Sequence, residues 1–222
     1  MNIKRIKLNY LYDYINGKIQ KKQIIKNFTN SVSLFKDLIV TKKKIFNNTW
    51  FLNNLIIFEK FFPKNKKYNF RYLEIGCHEG MSLLYVLENY KKVLAIGIDV
   101  WSGKKYSLTE KLFDKNISGY KNFLKIKKDS IVALREFNHN NFFFDYIYID
   151  GLHLGEHVIV DAIESFKVLK NNGIMIFDDF LQFDASRKYQ TYEAIFYFLK
   201  FFKNNLRILY FQNILVIKKI KN

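Results

Sequence analysis

Four apolar runs in this sequence carry a carboxylate at or near their end. YLEIG holds Glu74, AIGID ends at Asp99, YIYID ends at Asp150, and IMIFDD ends at Asp178 and Asp179. Each run has the length and the branched or aromatic content of a buried strand, and amphipathic stretches follow at least the first and third. Strands alternating with helices build a parallel sheet, because right-handed crossovers return the chain in the same direction. The ends of such strands lie along one edge, where open α/β sheets bind their ligands. The sequence therefore predicts a crevice lined with negative charge. A ligand suited to it carries positive charge or brings a metal.

Length and composition set the limits. A chain of 222 residues with 49% hydrophobic content can bury one core of ordinary size plus a small extra element, which excludes global disorder. No apolar stretch approaches the roughly 20 residues of a membrane span. The segment MNIKRIKLNYLYDYING lacks an apolar signal-peptide core, and the lone Cys77 cannot form an internal disulfide, so a cytoplasmic setting is expected. The net charge of +17 invites a nucleic-acid partner. Against that, the lysines are scattered in pairs at element ends, and arginine, the residue suited to bidentate recognition, is scarce. Lys, Asn, Ile, Phe and Tyr dominate, as biased codon usage alone would produce.

Two regions follow. Residues 1–66 lack the strand-carboxylate pattern and read as an N-terminal helical extension, a lid or subunit contact, with FLNNLIIFEKFF (51–62) its clearest amphipathic piece. Pro63 and KNKK mark the boundary, and 67–222 form the α/β domain. Strands are expected at RYLEIG, VLAIGID, FLKIKK, DYIYID and IMIF. EHVIVDAIESFKVLK reads as a helix capped by Asn172-Gly173. LRILYF and ILVIKKI, two residues apart at Gln212-Asn213, should pair as an antiparallel hairpin. The expected fold is Rossmann-like and doubly wound, a mostly parallel seven-stranded sheet ending in that hairpin.

The first strand runs into Glu74-Ile75-Gly76-Cys77-His78-Glu79-Gly80 and then a helix, where a Gly-rich nucleotide loop belongs. The dinucleotide fingerprint is absent, since His78 stands at its middle glycine. Glu74 would repel a pyrophosphate but attract an ammonium or sulfonium group. Asp99 ends the second strand at about the spacing where an acid meets ribose hydroxyls. Asp129-Ser130, after strand three, could meet an adenine, and could equally cap the helix SIVALREF.

At this point the chain resembles the class I S-adenosylmethionine-dependent methyltransferases, from about Arg71 to Lys219. YLEIGCHEGMS looks like their first motif, IGIDVW their second, and FDYIYIDGLH with LKNNGIMIFDD their fourth and fifth. Within that superfamily IDGLH…LKNNGIMIFDD is most similar to the macrocin O-methyltransferase type, which acts on hydroxyls of sugars or other small molecules. The resemblance implies that Glu74, Gly76, Cys77, Gly80, Ser82, Asp99, Asp129 and Ser130 bind S-adenosylmethionine. It also implies that Asp150, Asp178 and Asp179 coordinate Mg²⁺, with Asp150 or His153 accepting the hydroxyl proton. Two positions depart from the family: Gly155 stands where it has an aromatic residue, which bears on the acceptor, and His78 where it often has glycine.

Other signals are weaker. His153-x-x-Glu156-His157 matches an inverted zincin motif, but Gly155 and the preceding strand end put His153 in a loop, off the helix that chemistry requires. The Pro-Pro-aromatic motif of amino-methylating nucleic-acid enzymes is missing after the fourth strand. The expectation is a methyltransferase acting on a small-molecule hydroxyl. An RNA methyltransferase using the lysine surface and a cofactor-binding module without catalysis are the alternatives, and the N-terminal helices could serve a homo-oligomer.

Overall fold

A computed structural model describes residues 21–186 and 188–221. Helix α1 (Lys21–Thr41), a 3-10 turn (Trp50–Asn53) and α2 (Leu55–Phe61) precede the sheet. Then β1 (Phe70–Ile75), α3 (Met81–Asn89), β2 (Val93–Asp99), α4 (Lys104–Ile117), β3 (Phe123–Lys127) and α5 (Ser130–His139) alternate. They are followed by β4 (Phe144–Ile149), α6 (Gly155–Val168), β5 (Leu169–Phe177), α7 (Thr191–Phe201), β6 (Leu206–Phe211) and β7 (Leu215–Lys219). The seven strands lie in the order β3-β2-β1-β4-β5-β7-β6. Strands β1 to β5 are parallel, while β7 runs antiparallel to both β5 and β6, so the expected mixed sheet with its terminal hairpin is present.

Strand side chains alternate between faces, and each face of this sheet is covered. Tyr72, Ala95, Tyr148, Ile176 and Val216 join one cluster with α3 and α4; Leu73, Ile96, Ile147, Met175 and Leu215 join the other with α5, α6 and α7. The first cluster also takes Phe35, Phe51, Leu52, Leu55, Phe58 and Phe62. Phe58 packs edge-on against Tyr148 on β4, so the N-terminal region covers the part of this face that α3 and α4 leave open. Among the described residues no helix is long and apolar enough to cross a membrane.

Three sequence expectations are corrected. The 51–62 stretch is broken at Asn54 into a 3-10 turn and a short helix, and at that break the Asn54 side chain bonds to Asp178 and Tyr148 on the sheet. Asn172-Gly173 does not cap α6. That helix stops at Val168, and Leu169 already pairs with Phe144; Asn172 (φ 66°) sits where the register slips before Tyr146 meets Ile174. An Asn-Gly pair tolerates positive φ equally well in a bulge and in a cap. The hairpin loop has three residues rather than two, since Ile214 lies outside the ladder and its carbonyl accepts from Gln212 N–H.

Candidate active site

The ladder aligns the predicted strand ends in a single row. Gly76 N–H donates to Ile98 O at 2.9 Å, Asp150 N–H to Ile75 O at 2.8 Å, and Asp178 N–H to Ile149 O at 2.9 Å. Asp99, Gly76, Asp150 and Asp178 therefore stand side by side on four adjacent strands. Glycine at 76 is required there. Its φ is +85°, and a Cβ would lie 2.0 Å from the Asp150 carbonyl oxygen, so the turn after β1 rides directly on the backbone after β4. Gly80 (φ +83°) starts α3, and a side chain there would press on Phe113 and Ile117.

On the β1–β2 side, Asp99 is held by backbone donors: His78 N–H at 2.9 Å and Trp101 N–H at 3.0 Å. Trp101 Nε1–H closes the turn by donating to His78 O at 2.9 Å. His78 (φ 48°) and Trp101 (φ 38°) both occupy the left-handed region, as does Asp179 (φ 47°) across the site, and such strain concentrates where a fold positions functional groups. Glu74 is fully buried below this turn. Tyr72 and Ser82 hydroxyls each donate to it at 2.6 Å, and burial, against those two bonds, pushes its carboxyl up to about 8. Both of its oxygens are thus already engaged by hydroxyls of the protein. Cys77 is buried, its Sγ within 3.8 Å of Glu74 O and 3.6 Å of Ile98 O, and burial raises its thiol well above the ordinary range.

At the β3 end both side chains are already engaged. Asp129 caps α5 by accepting from Ile131 and Val132 N–H groups, and Ser130 Oγ donates to buried Asp161 at 2.6 Å. Burial, partly offset by Ser130, lifts Asp161 to about 6.

On the β4–β5 side, carboxyls crowd together. Tyr148 hydroxyl donates to Asp178 Oδ2 at 2.5 Å and lies 3.3 Å from Asp150 Oδ2. Asp178 also accepts from Asn54 Nδ2 at 2.6 Å and Asp179 N–H at 2.8 Å. His153 Nε2 stands between Asp150 Oδ1 (3.5 Å) and Asp179 Oδ2 (3.7 Å). Burial first, then the neighbouring Asp178 and Asp179, holds Asp150 well above the usual carboxylate range; burial raises Asp178 as well. The predicted acids Asp150, Asp178 and Asp179 and the candidate base His153 are therefore brought together. Sequence reading missed Tyr148 and Asn54. Tyr148 could have been found, lying two positions before Asp150 on the same strand face; Asn54 carries no such signal.

Comparison with known proteins bears on this arrangement. Residues 73–180 match a family described as a methyltransferase domain, a span that holds every predicted site residue from Glu74 to Asp179. Over that span, just under half of the chain, it is similar to a methyltransferase domain. An uncharacterized protein of Acanthamoeba polyphaga mimivirus is 30% identical over 145 residues, covering 63% of this chain and 64% of that protein. MycE, a methyltransferase from the mycinamycin biosynthetic pathway in complex with Mg and SAH, matches at TM-score 0.60 and 15% identity over 84% of this chain and 54% of its own. A Methanococcus jannaschii fibrillarin, a pre-rRNA processing protein, matches at TM-score 0.54 and 13% identity, over 72% of this chain and 70% of its own. The chain spans less than two thirds of the length of the mimiviral relative and of MycE. At these identities the two solved structures show a shared fold and leave the chemistry open.

Proposed function

We propose that this protein transfers the methyl group of S-adenosylmethionine to a hydroxyl of a small molecule, in the first instance one bearing a sugar. The observation that carries this reading is the row of Asp99, Gly76, Asp150 and Asp178, which sets a backbone-lined turn beside a cluster of acids. Asp99 would take the ribose hydroxyls while the turn from Gly76 to Gly80 lies under the donor, and the acids favour its cationic sulfonium. In the second half, His153 and Asp150 are placed to receive the acceptor's proton as its oxygen attacks the methyl in line. Support for a small-molecule hydroxyl comes from the similarity to MycE, whose complex holds mycinamycin VI.

Metal assistance is a finer part of the same reading. Asp150, Asp178 and Asp179 offer the hard oxygens that Mg²⁺ takes, and the ion's chemistry would be to acidify and orient the acceptor hydroxyl. As placed, these residues do not fit an ion: Asp178 already accepts three protein donors, and His153 stands between the other two carboxyls. Among the described residues no set of three His, Cys, Asp or Glu side chains is arranged to hold one. No step is therefore routed through a metal.

Calorimetry with S-adenosylmethionine and its demethylated product tests the donor half, and turnover on a panel of hydroxylated sugars and glycosides, with and without Mg²⁺, tests the acceptor half. No affinity for the donor, with tight uptake of a pyrophosphate nucleotide instead, would overturn the reading. A second reading, an RNA methyltransferase, is favoured by the charge of +17 and by the fibrillarin match. It requires RNA binding that falls steeply with salt. Donor binding without turnover on either acceptor class would leave a binding module.

A further inference from the structure

The segment 45–54 is fastened at both ends into different halves of the site. At its start, Ile45 exchanges hydrogen bonds with the buried Asn116 amide, receiving at 2.7 Å and donating at 2.9 Å, and the same amide donates to Glu79 O at 3.0 Å. Asn47 donates from its backbone N–H (2.8 Å) and from Nδ2 (2.9 Å) to the buried carboxyl of Glu79, within the turn after β1. Its far end reaches the acids, where Asn54 Nδ2 meets Asp178 Oδ2 at 2.6 Å and Tyr148 hydroxyl at 3.3 Å. Between these anchors Trp50 lies with its ring 5.6 Å from that of His78, and Phe51 is sunk against Phe35, Phe58 and Tyr85.

We propose that residues 45–54 form a wall joining the two halves of the methyl-transfer site, with Asn54 as the positioning residue that fixes Asp178. This rests on the function proposed above. The chemistry selects an amide at this position. Asn54 brings an N–H donor and no charge into a cluster that already holds Asp150, Asp178 and Asp179, whereas the isosteric Asp would add a fourth carboxyl and remove the donor. Its placement comes ready-made, because it sits between the 3-10 turn and α2, whose Leu52, Leu55 and Phe58 are buried. With Asn54, Tyr148 and the Asp179 N–H all donating to it, Asp178 has one allowed orientation. Asp150 and Asp179 are left flanking His153. Asn54 thus acts through Asp178 and does not itself touch the reacting atoms.

The test uses hydrogen exchange and calorimetry on the full chain. Asn54→Asp should speed exchange of the amides at 178–182 by about tenfold, the effect of losing one hydrogen bond to a charged group, with Asn54→Ala also faster than wild type. Asn54→Gln, which keeps the amide, should recover part of the protection. None of the three should change exchange in the centres of β1 and β2 or weaken binding of S-adenosylhomocysteine by more than about twofold. Asn47→Ala should do the reverse, weakening S-adenosylhomocysteine about fivefold, within the range of one hydrogen bond, while leaving 178–182 protected. Unchanged exchange in Asn54→Asp, or equal loss in Asp and Gln variants, overturns the positioning role. Unchanged affinity in Asn47→Ala overturns the joined wall. A wild-type protein that fails to bind S-adenosylhomocysteine sinks the proposed function instead, and the exchange results still decide Asn54.

Discussion

At the end of β2, Asp99 draws both of its hydrogen bonds from backbone N–H groups, supplied by the turn that carries His78 and by Trp101. At the end of β5, Asp178 draws two of its three from side chains, Asn54 and Tyr148, and shares its surroundings with Asp150 and Asp179. The first arrangement is fixed by the path of the main chain and tolerates change around it. The second is a crowded cluster in which burial first, and the neighbouring carboxyls after it, raise Asp150 and Asp178 above the usual carboxylate range. One sheet edge therefore holds a seat built from backbone beside a region whose carboxyls hold their protons tightly.

The sharpest way to separate the halves is Asp150→Asn. Methyl transfer should fall by about 10²–10⁴-fold, the range for losing a positioned acid–base group, with donor affinity nearly unchanged in calorimetry. Equal loss of binding would mean the halves are not distinct. Gly76→Ala should come next, since its Cβ would strike the Asp150 carbonyl. We expect a loss of about 3 kcal/mol or more in denaturant melts, a value reserved for severe backbone conflicts, and damage to both halves at once. Asp99→Asn should weaken the donor by about tenfold, as expected for bonds to a charged acceptor, and leave hydrogen exchange around Asp178 untouched.

The fourth prediction concerns Glu74, whose carboxyl binds its proton more tightly folded than unfolded. Its contribution to stability is present below the ordinary carboxyl range and is lost as pH rises through about 8. Unfolding free energy should therefore decline between roughly pH 5 and 8, by at most about 1.4 kcal/mol per unit for one proton, and Glu74→Gln should flatten that decline. A slope unaffected by Glu74→Gln would place the titration elsewhere. The smallest effect is that of Mg²⁺. If the acids do rearrange to hold it, the ion should raise the melting temperature on the order of 2 °C at pH 8 and less at pH 5.5, where protons compete for the same oxygens. No difference between the two conditions would dispose of metal assistance.

The fold was legible because buried parallel strands are continuous apolar runs, and the acids at their ends stand out against them. YIYID and IMIFDD needed no partner to be recognised. Local side-chain chemistry was less legible, because one residue type serves several uses. Asp129-Ser130 reads as an adenine contact or a cap, and the cap and the bond to Asp161 are what the structure contains. Asn172-Gly173 reads as the end of a helix and proves to be a bulge within β5. Least legible was Asn54, which meets Asp178 across a sequence separation of 124 positions. No periodicity or spacing encodes such an encounter.

The ladder has a further consequence. Neighbouring strands stand about 4.8 Å apart, so the distance from one chemical role to the next along this edge comes only in whole steps of that size. Lineages of this architecture can exchange the group at one step and inherit the others unmoved. Acceptor preference can then change at one step while the seat proposed for the methyl donor stays in place.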